Sequence, residues 1–192
     1  MSTRLRASEF ARTLNLELSE LFRLAKDQDA PILCSDTFEQ FALQDTFSYA
    51  DALLCEVSMQ LSDDGGMSFA DASILIANAG LAGFFSLPTG VLSRSNDFWT
   101  GIACNRNTWG AAPRGSWKVT HFGPSEYWSS AHFAGTLEAV TREIREYIER
   151  EEIEHPDTDP TRIFLTNVSA ADRRLRRRAA KFGIAVVGNE FA

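Results

Sequence analysis

At 192 residues with 44% hydrophobic side chains, the chain holds enough apolar material for one large domain or two small ones. Its 26 acidic against 19 basic side chains give a formal charge of −7, which excludes a uniformly basic nucleic-acid coat. No run approaches the roughly 18–20 apolar residues of a membrane span, and "MSTRLRASEF" lacks a secretory apolar stretch, so a cytoplasmic location is expected.

The distribution of charge says more than its sum. Residues 1–30 hold five basic and five acidic side chains, whereas residues 27–93 contain no Lys or Arg. Residues 131–160 are acidic and residues 161–192 basic, so the cations gather near the two ends. The three cysteines, Cys34, Cys55 and Cys104, are odd in number, widely spaced and form no CxxC pair. They are expected to be reduced, partly buried thiols, with no disulfide framework, zinc site or other cofactor.

In chain order, "ASEFARTLNLELSELFRLAK" (residues 7–26) reads as two short amphipathic helices, 7–14 and 17–26. Phe10 and Ala11 supply an apolar and then a small residue, and Leu14 closes the first helix. Asn15 stands at the turn, where a left-handed backbone needs glycine or asparagine. Leu16, Leu21 and Leu24 fall at the remaining locking offsets of a helix-turn-helix. The outward positions of the second helix are then Glu17, Ser19, Glu20, Phe22, Arg23 and Lys26.

"SYADALLCEVSMQLSDD" predicts a third helix with Ser48 as N-cap, stopped by the glycines at 65–66. Ser68 caps a fourth, "FADASILIANAGLAGFF", whose scant polar face predicts burial or a partner. The Pro, Gly and Ser of "SLPTGVLSRSN" (86–96) mark a connector. After it, "FWTGIACN" and "GSWKVTHFG" read as short strands. An amphipathic helix over 135–153 carries Leu137, Val140, Ile144, Tyr147 and Ile148 on one side, with Glu138/Arg142 and Glu146/Arg150 as i,i+4 pairs. Its seam of just over two heptads suits packing on the sheet better than pairing two subunits. "RIFLTNV", "SAADRRLRRRAAKF" and "GIAVVG" close the chain as strand, helix capped by Ser169, and strand. The final helix has a stripe of Ala171, Leu175, Ala179 and Phe182 turned inward.

The stretch "FSYADALLCEVSMQLSDDGGMSFADA", read with the opening helix pair, resembles the MerR-type winged helix-turn-helix. Phe47, Asp51, Leu53, Gly66, Ser68 and Ala72 carry the resemblance, which spans about residues 5–80. It implies a dimeric regulator that reads duplex DNA through the second helix and the wing. Where such proteins carry an arginine followed by tyrosines, this chain has "LFRLAKDQDAPILC", and where their wing is basic, residues 27–93 hold no Lys or Arg.

The expectation is therefore an α+β protein: an all-helical winged helix-turn-helix-like domain over 1–85, then a small α+β domain over 97–192 for ligand sensing or assembly. The expected function is DNA-binding transcription regulation, with a homodimer, double-stranded DNA and a small-molecule effector or protein as partners. Arg4, Arg6, Arg12, Ser19, Arg23 and Lys26 are the candidate DNA contacts. Arg173, Arg174, Arg177, Arg178 and Lys181, with Arg176, form a second basic patch, either phosphate-binding or paired with the acidic segment 131–160. The alternative is a protein-interaction module that keeps the helix-turn-helix shape without binding DNA. Cys104, His121 and His132 lack an orienting third group, so no catalytic residue is assigned and no enzyme is expected. The aromatics Trp99, Trp109, Trp117, Phe122, Tyr127 and Trp128 are expected mainly in a core, with a small-molecule pocket as the lesser reading.

Overall fold

The computed structural model describes residues 4–26, 46–65, 69, 72–73, 76, 97–106, 128–154 and 159–186. Among them helix and sheet are mixed in an α+β arrangement with two small antiparallel sheets. The first sheet is a ribbon of β1 (Arg4–Arg6) and β2 (Thr46–Ser48), with Leu5 opposite Phe47. Strand alternation turns Leu5 and Phe47 inward, both buried, and leaves Arg4 and Arg6 exposed. The first segment is thus not all-helical. Three-residue strands have no local periodicity and exist only through this pairing.

Helix α1 (Ala7–Leu14) starts where the Glu9 carboxylate accepts from the Arg6 N–H at 2.8 Å. Phe10, Ala11 and Leu14 are buried, and the Phe10 ring lies 4.6 Å from that of Phe47. Helix α2 spans Leu18–Lys26 and helix α3 spans Tyr49–Gly65. As expected, Ser48 caps α3: its Oγ accepts from Asp51 N–H while the Asp51 carboxylate accepts from Ser48 N–H at 2.8 Å. Helix α3 is buried on most sides through Ala52, Leu53, Leu54, Cys55, Val57 and Leu61. Each such Leu or Val contributes about 1.5–3 kcal/mol relative to exposure. Beyond it Phe69, Ala72, Ser73 and Ile76 are helical, with the last three buried; the rest of that predicted helix lies outside the described residues.

The second sheet has the order β4-β3-β5, built from β3 (Phe98–Arg106), β4 (Trp128–Thr136) and β5 (Asp159–Asn167). Helix α4 (Leu137–Glu154) links β4 to β5 across β3. Val140, Ile144 and Tyr147 bury against Ala103, with Phe133 and Ala131 beside them, so the helix packs on the sheet. Gly101 permits this: a Cβ there would stand 2.5 Å from Val140 Cγ1 and 2.8 Å from Ile144 Cδ1. Leu137 is 41% exposed instead of joining the buried stripe, and among the described residues the ion pair along the helix is Arg142–Glu146 at 3.9 Å, in place of the two expected.

Phe98 and Ile102 turn to the other sheet face, where helix α5 (Val168–Lys181) lies. The α5 cap is Asn167, whose side-chain oxygen accepts from Ala170 N–H at 2.8 Å. Ser169, expected as the cap, instead accepts from Phe98 N–H at 2.8 Å and fastens α5 to β3. Ala171, Leu175 and Ala179 let α5 pack against α1 and α3. One hydrophobic core therefore draws on both residues 1–85 and residues 97–192. Phe182 is 52% exposed, not part of the inward stripe. Gly183, read as a strand start, is the left-handed residue that ends α5 at φ 68°, and Ile184 to Val186 are not strand. The strand expected over 115–123, the connector 86–96, Cys34 and His121 lie outside the described residues. Among the described residues no helix is long and apolar enough to cross a membrane.

Candidate nucleic-acid interface

The α1–α2 unit is set by its turn. Asn15 adopts φ 61°, ψ 39°, and its N–H and that of Leu16 both return to the end of α1, the latter to Ala11 O at 2.9 Å. This closes the helix by a left-handed residue followed by an apolar one. The Glu17 carbonyl then accepts from the N–H groups of Glu20 and Leu21, both at 3.0 Å, and opens α2. Leu21 is fully buried and Leu16 and Leu24 pack against the core, the three offsets anticipated for them.

The outer side of α2 presents Glu17, Leu18, Ser19, Glu20, Phe22 and Arg23, all exposed. The side chain of Lys26 lies outside the described residues. Arg4, Arg6, Arg23, Arg177 and Lys181 are exposed and have no ion-pair partner among the described residues. Arg12 is exposed too, its guanidinium 5.8 Å from the centre of the Phe182 ring. That contact brings the end of α5, with Lys181, against α1. An open groove of about 610 Å³ lies between Arg12, the Asn15 turn and Phe182.

The second basic patch divides in two. Arg173 grips Asp97 through two bonds of 2.7 and 3.0 Å. Those bonds and one from Asn167 hold the Asp97 carboxyl down at about 2. Arg174 and Arg178 converge on Glu56 at 3.3 and 2.7 Å, a carboxylate almost sealed inside α3. Arg176 pairs with buried Asp172 at 2.9 Å. These four cations are committed to carboxylates of the same chain, two of them buried, and their partners are Glu56, Asp97 and Asp172, not the acidic segment 131–160. Only Arg177 and Lys181 of the patch face outward unpaired among the described residues. Asp172 is i−4 to Arg176 and was legible as a partner; Glu56 stood out only as a carboxylate within an apolar helix.

Sequence reasoning missed Leu18 as an exposed apolar side chain; it forms an i,i+4 pair with Phe22 on the outer side of α2, 39% and 40% exposed. Among the described residues no group of three metal-ligating side chains comes together. His132 lies opposite Ile102 on the core face, and burial pushes it down to about 4. The chain matches no family model, no curated protein and no solved structure.

Proposed function

We propose that the chain is a DNA-binding transcriptional regulator in which α1, the Asn15 turn and α2 work as a helix-turn-helix. The β1–β2 ribbon beside them belongs to a winged arrangement of the MerR type. One observation carries the reading: a left-handed Asn15 joins two helices locked by Phe10, Ala11, Leu14 and Leu21, and leaves Ser19 and Arg23 outward. In this reading α2 enters the major groove and Arg23 and Ser19 reach base edges or phosphates. Arg4, Arg6, Arg12 and Lys26 neutralise phosphates, with Arg177 and Lys181 extending the set. Glu20 accepts from a cytosine amino group and, with Glu17, repels misplaced phosphates, so binding tolerates few registers. The regulator is cytoplasmic, and residues 97–192 serve assembly or effector sensing.

Selection of duplexes from a randomised pool by the full chain tests this. The reading requires an enriched sequence, and Ser19→Ala and Arg23→Ala must relax its base preferences. A pool that stays random after repeated rounds rejects it.

A second reading, a protein-interaction module, is favoured by the exposed Leu18 and Phe22 between Glu17, Glu20 and Arg23. Apolar pairs at i,i+4 suit a protein groove better than a phosphate backbone. It predicts no salt-dependent affinity for duplex DNA.

A further inference from the structure

Helix α4 covers β3 and β4 but leaves β5 open on the same face. Ile163 and Leu165 of β5 lie in register with Ala103 and Gly101, beneath the α4 layer, yet stay 51% and 41% exposed. Beside them α4 turns a lateral stripe of Thr141, Arg145, Ile148 and Glu152. These positions fall within about 60° of one another round a 3.6-residue helix. Stripe and strand enclose an open groove of about 420 Å³. Because β5 is last in the order β4-β3-β5, among the described residues no strand pairs with its outer edge. An exposed apolar edge of this kind is a template for another strand.

We propose that the edge is an interface between two copies of this chain. The β5 strands pair antiparallel across a two-fold axis beside Ile163, joining two three-stranded sheets into one of six strands. The apolar floor of Ile163 and Leu165 then runs on into its own copy between the two α4 walls. Charge selects a second copy as the occupant. Along α4 the wall changes from positive at Arg145 to negative at Glu149 and Glu152, and none of the three has an ion-pair partner among the described residues. A two-fold axis reverses that order, so Arg145 of each copy meets the negative end of the other wall. Helix α4 runs parallel to β3 above it, as the contacts of Gly101 and Ala103 set it. With the axis at Ile163, Arg145 therefore comes level with Glu149 of the second copy. This interface lies outside residues 5–80 and does not depend on whether α2 meets DNA.

The test is sedimentation of the full chain with its variants. The wild-type chain should be a dimer at micromolar concentration. Ile163→Lys should be monomeric and keep the wild-type far-ultraviolet circular dichroism and a cooperative melt that no longer depends on protein concentration, since the side chain is already half exposed. Arg145→Glu alone, and Glu149→Arg with Glu152→Arg, should each weaken the dimer by at least about tenfold at low salt, and an equimolar mixture of the two should restore it. Mild oxidation of Ile163→Cys should join the two chains at that position. A monomeric wild-type chain, as when another segment of the same chain covers the edge, overturns the proposal. So does a dimer that survives Ile163→Lys or the charge reversals.

Discussion

The Tyr49 hydroxyl donates a 2.8 Å hydrogen bond to the Asp172 carboxylate, joining the first turn of α3 to α5 across 123 positions of the chain. Arg176 completes the group, its guanidinium bonded to the other Asp172 oxygen and stacked 5.2 Å from the Tyr49 ring centre. Burial raises the Asp172 pKa, and these two donors counter that rise. Tyr49→Phe should therefore destabilise the fold by about 1.5–3 kcal/mol near neutral pH, the cost of depriving a buried charge of a donor. The bond favours the ionised carboxylate, so the deficit belongs to pH above the Asp172 pKa and shrinks as pH falls through it. Urea titrations of both chains across pH check the size and the direction.

The arginines of α5 should separate into two classes. Arg178→Ala strips a partner from buried Glu56 and should cost about 1–3 kcal/mol. Arg177→Ala, on the exposed side of the same helix, should stay within about 0.5 kcal/mol of wild type. Thermal denaturation of the two variants side by side decides this; equal losses would mean that the Arg178–Glu56 pair contributes nothing.

How far the sequence foretold this arrangement depends on whether the signal was local. Asn15 betrayed its turn because few other residues adopt a left-handed backbone, and Ser48 betrayed a helix start. The apolar spacing of α4 and the small-residue stripe of α5 were equally local. Strand β4, by contrast, reads "WSSAHFAGT", poor in β-branched residues, and owes its existence to pairing with β3. Strands β1 and β2 depend on each other across some forty residues of chain. Gly183 misled because glycine marks both a loop before a strand and the end of a helix; here it serves α5. For the candidate site, Glu17, Ser19, Glu20, Phe22 and Arg23 were foreseen as outward on α2, and Leu18 was not. Pairing of the α5 cations with carboxylates was one of the two readings, but the partners are not in segment 131–160: Glu56 comes from α3 and Asp97 from the residue before β3, both distant in sequence, and Asp172 lies on α5 itself.

Close approach of helix and sheet gives a further prediction. Gly101→Ala places a methyl against Val140 and Ile144 at distances that real side chains do not tolerate. Lifting α4 should cost about 1–3 kcal/mol, and Val140→Ala in the same chain should recover part of it. A double-mutant cycle of unfolding free energies measures that recovery.

Acid should weaken the fold in two windows. His132 is held down at about 4 by burial, so the unfolded chain binds its proton first as pH falls below the ordinary value of about 6.5. Stability present at neutral pH is lost between about pH 6.5 and 4, on the order of 3 kcal/mol if the whole shift is expressed. His132→Leu should flatten that window. Asp97 is held down at about 2 by Arg173, so its contribution is present above pH 3.8 and fades towards 2. Asp97→Asn should differ from wild type only above that second window. Melting temperatures across pH distinguish the two.

The central claim is that the outer side of α2 meets a polyanion, and fluorescence anisotropy of a labelled duplex against salt concentration measures it most directly. The logarithm of affinity should fall linearly with the logarithm of salt. Arg23→Ala should make that slope shallower by about 0.9, the loss of one phosphate contact, while leaving the melt unchanged. No binding at low salt, or a slope that Arg23→Ala leaves untouched, would contradict the assignment of α2 as the reading helix.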